Sequence, residues 1–127
     1  MNGAAFLAVA AGAALGAWLR WGLSLALNHV VPNLPLGTLA SNLIGGYLVG
    51  IAIEALMHHS GLTPEWRLFI ITGFLGGLTT FSTFSAETVA LLARQQYGWT
   101  LALVATHLAG SLALTALGIM TVRAFVR

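Results

Sequence analysis

Four apolar stretches, each long enough to cross a lipid bilayer, make up almost the whole chain and decide what it can fold into. They run from about Gly3 to Leu27, Leu36 to Met57, Trp66 to Ala93 and Trp99 to Phe125. A spanning helix needs about 20 predominantly apolar residues, and each stretch reaches that length. The connectors between them are short. They hold all three prolines, Pro32, Pro35 and Pro64, together with His29, Asn33, His58, His59 and Ser60. None of them reads as a linker or as a soluble domain. Residues 1–127 therefore read as a single four-helix transmembrane domain.

Charge supports this. Of 127 residues, 58% are apolar and only eight are charged, five Arg and three Glu. A soluble domain carries about a quarter charged residues. A soluble globular protein, a disordered chain and a nucleic-acid binder are excluded on that ground. The basic pI reflects five Arg against three Glu and no basic patch. The absence of Cys excludes disulfides, thiolate metal sites and Cys nucleophiles.

Aromatic residues mark the membrane edges: Trp18 and Trp21 flank Arg20, Trp66 opens the third stretch, and Tyr97 and Trp99 open the fourth. Ala8-Val9-Ala10 imitates a signal-peptide cleavage site. The region before it has no Lys or Arg and the apolar run continues past it, so the first stretch reads as retained. Arg67, Arg123 and Arg127 fall on the side of the termini, and Arg94 falls on the other, with Arg20 of undecided depth. That bias is a weak form of the positive-inside rule, consistent with weakly set orientation or with insertion both ways. Small-xxx-small spacings at Gly12/Gly16, Gly46/Gly50 and Gly73/Gly77 permit close helix contact in lipid. Four helices alone enclose no water-filled pore, so size and these spacings point to an oligomer, most simply a twofold dimer.

The third stretch is not one plain helix. Residues 73–88 read GFLGGLTTFSTFSAET. Gly73, Gly76 and Gly77 are followed by Thr79, Thr80, Ser82, Thr83, Ser85 and Thr88, with Phe81 and Phe84 among them. Glycine in a helix interior costs about 1 kcal/mol relative to alanine, and clustered hydroxyls compete for backbone hydrogen bonds. A straight 66–93 helix measures about 42 Å against a hydrocarbon core of about 30 Å. A break near mid-membrane is predicted. Non-helical backbone at that depth lines a cavity or is buried in protein, and in transporters and channels its freed groups bind ions. The ordinary alternative is a glycine-rich packing face with hydroxyls bonded back to the helix.

Other spans carry polar residues with two readings each. Asn42, between Thr38 and Gly46 at one-turn spacing, is either a link between helices or a pore group. His107, Ser111 and Thr115 recur every four residues on one face, as a donor stripe for an anion or as a polar packing seam. Arg20 either snorkels between its Trp neighbours or sets a positive charge at a pore mouth. Glu54 is near a span end and reads as snorkelling. Glu87 lies deeper, where a carboxylate is a functional candidate by default, although its hydroxyl neighbours offer local hydrogen bonds. No metal-ligand pair and no Ser/His/Asp arrangement is visible, so the chain does not read as an enzyme.

The chain resembles the bacterial Fluc (CrcB) fluoride channels over nearly its whole length. The resemblance rests on four spans, Arg20 in the first, GTLASN (Gly37 to Asn42) in the second and GFLGGLTTFSTFSAE (Gly73 to Glu87) in the third. It implies an all-α membrane protein of the bacterial inner membrane, an antiparallel, dual-topology homodimer whose third helix is broken. It implies two fluoride pores along the dimer interface. Phe81 and Phe84 match the paired pore phenylalanines and Asn42 the pore asparagine. Thr80, Ser82, Thr83, His107, Ser111 and Thr115 supply polar pore groups, and Arg20 and Glu87 lie near the vestibules. A structural sodium ion at the dimer centre is implied at the break, on the backbone carbonyls of Gly76 and Thr79. The departures are Leu103, where some members have Tyr, and His107, where some have Ser.

Fluoride is small and strongly hydrated. Moving even a carboxylate-sized ion into a low dielectric carries an idealised penalty of order 20 kcal/mol. Donors must replace water along the path: the Asn42 amide, the hydroxyls of Thr80, Ser82, Thr83, Ser85, Ser111 and Thr115, and His107. Ring edges are positive, so edge-on phenylalanines hold an anion weakly, as conduction requires. The expected physiology is passive exit of fluoride trapped in the cytoplasm, protecting against its toxicity. Two alternatives remain: a proton-coupled four-helix transporter using Glu87, and a non-transporting assembly subunit.

Overall fold

The computed structural model describes residues 2–59 and 61–126. Arg127 and Ser60, placed above at the terminal side and in the second connector, lie outside that range. All regular structure among the described residues is helical: α1 (Gly3–Leu27), α2 (Leu36–His58), α3 (Pro64–Arg67), a π-helical stretch (Leu68–Leu75), α4 (Gly76–Leu78), α5 (Phe81–Ala93) and α6 (Tyr97–Phe125). The third span, Pro64–Ala93, contains everything from α3 to α5, and all four spans are long and apolar enough to cross a membrane.

Local chemistry sets the helix ends. The Asn2 side chain accepts from Ala5 N at 2.7 Å and starts α1. Asn28 Oδ1 accepts from both Gly37 N (2.8 Å) and Thr38 N (3.1 Å), satisfying two orphan donors of α2 and tying the first connector to it. Thr63 caps α3, with Pro64 in its first turn. At the end of α5, Gln96 N donates to Leu91 O (2.9 Å) and Gln95 N to Leu92 O (3.0 Å), a Schellman pair. It holds Gln95 at φ 58°, a left-handed conformation that normally favours glycine.

Glycines set the packing. Gly12 and Gly16 of α1 lie against the backbone of the third span, and Gly73 and Gly77 return the contact against Val9, Gly12 and Ala13. Gly46 and Gly50 of α2 meet the backbone of Ser111 and Thr115 on α6. All three small-xxx-small pairs are thus occupied by contacts inside one chain. They carry no argument for a second chain, contrary to the use made of them above. Residue numbers rise together across both contacts, so α1 runs parallel to the third span and α2 parallel to α6. The α1–α2 contact, where Gly37 abuts Leu23 and Ser24, joins antiparallel neighbours.

Glu54 departs from expectation. It does not snorkel: it is 5% exposed. Its Oε1 accepts from Arg123 Nε at 2.9 Å and lies 3.4 Å from His58 Nε2. A carboxylate inside a spanning segment is tolerated when paired in this way. The π-helical stretch was also not anticipated, and nothing in LFIITGFL announces it.

These contacts predict opposite effects for two glycines of one helix. A Cβ at Gly16 meets Phe74 O and Leu78 N, which are backbone atoms that cannot step aside, whereas a Cβ at Gly22 meets nothing within 4 Å. Gly16→Ala is expected to destabilise the protein by about 1–3 kcal/mol. Gly22→Ala is expected to stabilise it by up to about 1 kcal/mol. Thermal unfolding in detergent, followed by circular dichroism, checks both signs.

Candidate functional site

The third span does break, at Thr79 and Thr80. Their backbones are extended, with ψ 156° at Thr79 and φ −151°, ψ 112° at Thr80. An unpaired backbone amide or carbonyl at this depth is costly, so the structure must supply partners. Asn42 of α2 supplies two. Its Oδ1 accepts from Thr80 N at 2.7 Å, and its Nδ2 donates to Thr80 O at 3.1 Å. The carboxamide thus pairs with Thr80 as a neighbouring strand would. The Thr80 hydroxyl then caps α5, accepting from Thr83 N at 3.0 Å, and it also bonds the hydroxyls of Thr83 (3.0 Å) and Ser82 (3.2 Å).

Arg20 reaches the break from the other side. Its Nε donates to Gly77 O at 3.0 Å. Arg20 is half-buried, with its Nε tied to this carbonyl. A cation at the carbonyl end of a broken helix is favoured by the helix dipole.

The same bonds free two carbonyls. A continuous helix would give the amide of Thr80 to Gly76 O and that of Thr83 to Thr79 O. Here those amides go to Asn42 and to the Thr80 hydroxyl. The carbonyls of Gly76 and Thr79 are therefore released from the helical ladder. They are hard oxygen donors, the kind that unwound backbone offers to sodium. Among the described residues there is no group of three or more His, Asp or Glu able to hold a metal ion.

Beside the break lies an open cleft of about 460 Å³ whose lining includes Asn42, Gly76, Thr79, Thr80, Phe81, Phe84, His107 and Ser111. Phe81 is 75% exposed while Phe84 is 9% exposed, and their ring centroids stand 5.5 Å apart at 57°. Phe84 also packs on the imidazole of His107, with centroids 4.8 Å apart. His107 is 4% exposed, and its Nδ1 lies 3.0 Å from Asn42 Nδ2. Leu103 is wholly buried and packs with Phe84 and Leu91.

Not every candidate reaches this cleft. Thr115 lies lower on α6, and its hydroxyl donates to Gly46 O (2.8 Å) and Ser111 O (2.9 Å). Thr79 does line the cleft, but its Oγ1 bonds back to Leu75 O at 2.9 Å. Ser82 and Thr83 sit behind Thr80 in its hydroxyl cluster. Glu87 is held by Thr38 of α2, whose Oγ1 donates to Glu87 Oε2 at 2.7 Å, rather than by the hydroxyls beside it in sequence. Its Oε1 is buried without a partner.

Residues 7–119 match the family model described as "CrcB-like protein, Camphor Resistance (CrcB)". The chain belongs to this CrcB-like family. It is similar to a protein named fluoride-specific ion channel FluC from Nitrosospira multiformis, at 66% identity over 119 residues, 94% of this chain and 93% of that protein. The protein of the same name from Ralstonia pickettii is 63% identical over 126 residues, 98% of this chain and 99% of that one. That from Burkholderia pseudomallei is 58% identical over 120 residues, 94% of both chains. With its four apolar spans, this CrcB-like chain is a multi-pass membrane protein.

Three features of the CrcB-like site were not foreseen: Thr38 as the partner of Glu87, Gly77 O as the acceptor for Arg20, and Asn28 as the cap of α2. Thr38 stood one turn before Asn42 in the sequence, which was a usable signal. The other two depend on which helices are neighbours. The double bond from Asn42 to Thr80 leads to a prediction. Asn42→Leu removes partners from the Thr80 amide and carbonyl, at about 1–3 kcal/mol for each group left unpaired. Asn42→Asp keeps the acceptor but turns its second oxygen towards the Thr80 carbonyl, so its unfolding midpoint should also fall below that of the parent in a denaturant titration.

Proposed function

We propose that this protein is a fluoride-selective channel that lets cytoplasmic fluoride leave passively. The observation that carries the reading is the cleft at the break. Two aromatic rings, a buried imidazole and the hydroxyl residues Thr79, Thr80 and Ser111 meet there, on an open face of the chain. The names of the three relatives, each fluoride-specific ion channel FluC, agree with it.

In this reading a second, antiparallel copy covers the cleft and the exposed Phe81, and two pores run along the interface. Fluoride approaches the positive edges of Phe81 and Phe84 and takes successive donors in place of water. Its path runs past Thr80, His107 and Ser111 in the cleft, beside the hydroxyls of Ser82, Thr83 and Thr115, which are bonded to their own neighbours, with Arg20 and Glu87 towards the vestibules. Asn42 contributes by holding the break in shape, because both of its N–H groups already have acceptors or near neighbours. A sodium ion shared by the Gly76 and Thr79 carbonyls of both copies supplies fixed positive charge near the path. The carbonyls released by Asn42 and Thr80 suit such a hard cation. The dimer resides in the bacterial inner membrane and needs no catalytic group.

The test is efflux from liposomes holding purified protein, with a potassium gradient and valinomycin, read by fluoride and chloride electrodes. Fluoride is expected to leave while chloride stays, with no stoichiometric proton movement on a pH electrode. Phe81→Ala, at a ring exposed enough to change without unfolding the chain, is expected to reduce fluoride efflux at least about tenfold, the loss that follows from about 1.4 kcal/mol at one ion site. Proton-coupled efflux that stops in Glu87→Gln would favour the transporter. Retention of both ions by folded protein, with Phe81→Ala tolerated, would favour an assembly subunit.

A further inference from the structure

A second cavity lies away from the break, at the end of the bundle where α1 and the third span begin. It measures about 230 Å³ and is lined by Ala8 of α1, by Thr63, and by Glu65, Trp66 and Phe69 of the third span. Trp66 opens that span and is 55% exposed. Tryptophan is enriched at the level of the lipid headgroups, which sets the depth of the cavity. Pockets that enclose drug-sized ligands run from about 300 to 1,000 Å³, so the occupant here is a small group.

Three chemical features meet at its wall. Glu65 is half-buried, yet the ion pairs among the described residues all belong to Glu54. A glutamate in the first turn of a helix already gains from the helix dipole, so its presence alone says nothing of a ligand. Its neighbours do. Trp66 and Phe69 meet edge to face, with ring centroids 5.7 Å apart at 79°. That packing leaves each ring a face uncovered by the other, and an aromatic face attracts a cation. Thr63 Oγ1 accepts from Trp66 N at 3.4 Å, which leaves its own proton to give. Phe69, one turn deeper than Glu65, and Ala8 across from it continue the wall as apolar surface. A carboxylate, an aromatic face, a hydroxyl and an apolar wall thus follow one another from the membrane edge inwards.

We infer that this cavity binds the headgroup of a phospholipid carrying a primary ammonium, with the ammonium at Glu65 and Trp66, the phosphate at the Thr63 hydroxyl and an acyl chain along Phe69 and Ala8. Charge complementarity selects the occupant. A carboxylate forms charge-assisted hydrogen bonds with the N–H groups of a primary ammonium, and a quaternary ammonium has none to give. Quaternary headgroups are instead held in cages of aromatic faces, and two rings packed against each other make no cage. An anionic headgroup would face Glu65, and Arg67, the nearest cation in sequence, is exposed and does not line the cavity. The inference needs only that the chain spans a membrane, so it stands apart from the channel reading.

The experiment is native mass spectrometry of the full-length protein in detergent with equal amounts of phosphatidylethanolamine, phosphatidylcholine and phosphatidylglycerol of one acyl composition. The phosphatidylethanolamine adduct is expected to exceed each of the others about fivefold, the factor for one cation held by a carboxylate and a ring at the protein surface. Glu65→Gln, which keeps the shape and removes the charge, is expected to level the three lipids. Trp66→Leu is expected to weaken the preference. Trp21→Leu, at a ring of the other membrane edge that is 64% exposed, is expected to leave it intact. Free phosphoethanolamine is expected not to displace the lipid, and displacement would assign the cavity to a soluble ligand and overturn the lipid assignment. Equal adducts in the parent overturn the inference, as does a preference for phosphatidylglycerol, which Arg67 would give. A preference that survives Glu65→Gln, in protein whose helical circular dichroism matches the parent, overturns it too. Fluoride efflux from liposomes of the parent tests the channel reading separately, and neither result decides the other.

Discussion

The pairing of Asn42 with the Thr80 backbone is the interaction on which the rest of the site depends. An extended segment inside a membrane span has to satisfy its peptide groups without water. One carboxamide does so for both the amide and the carbonyl of Thr80. The consequences spread outward. Phe81 and Phe84 are placed by α5, whose first turn is capped by Thr80 itself. The carbonyls of Gly76 and Thr79 are released because their helical donors have gone elsewhere. The His107 ring lies against the same carboxamide, its Nδ1 3.0 Å from Asn42 Nδ2. Arg20 secures the upstream piece by taking Gly77 O, so the break is held from α1 as well as from α2.

The helix α2 acts as the common support. Thr38 holds Glu87, Asn42 holds Thr80 and His107, Gly46 accepts from Thr115, Tyr47 pairs with Thr121 at 3.0 Å, and Glu54 pairs with Arg123. The first contacts reach α5 and the later ones α6. In lipid the apolar surfaces of helices gain little by leaving their surroundings, so close packing and polar contacts carry the association. The glycine seams and this ladder of polar bonds do that here. The ladder has a further effect. A polar side chain that already has its partner inside the chain is not left to bind an ion.

The four spans were legible in the sequence because apolar length against few charges is a strong, additive signal. The helices end within a few residues of the expected limits. The break was legible too, since three glycines and a run of hydroxyls compete with the helical ladder in one place. Position within the chain could not reveal tertiary partners. Glu54 looked like a snorkelling residue because the sequence does not show that Arg123, 69 positions later, lies beside it. The glycine pairs looked available to a second subunit because nothing local tells that Gly12 and Gly16 face Gly73 and Gly77. Asn42 was left between packing and pore for the same reason, and its bonds make it a brace at the edge of the cleft.

The division between satisfied and unsatisfied groups gives the site its character. A path lined with freely rotating hydroxyls would bind a passing anion well, but it would also bond to itself whenever the anion left. In this chain most hydroxyls have done so: Thr79, Thr80 and Thr115 are engaged with backbone or with one another. What remains near Phe84 is the buried His107 ring, whose Nε2 has no partner among the described residues, and aromatic edges that attract an anion only weakly. Few donors, rigidly placed, favour the smallest and hardest anion, because a larger one spreads its charge and gains less from a single N–H. Weak aromatic contacts beside them limit how tightly that anion is held. On the proposed channel reading, selectivity and release have separate sources, a few fixed donors for one and the phenylalanine edges for the other.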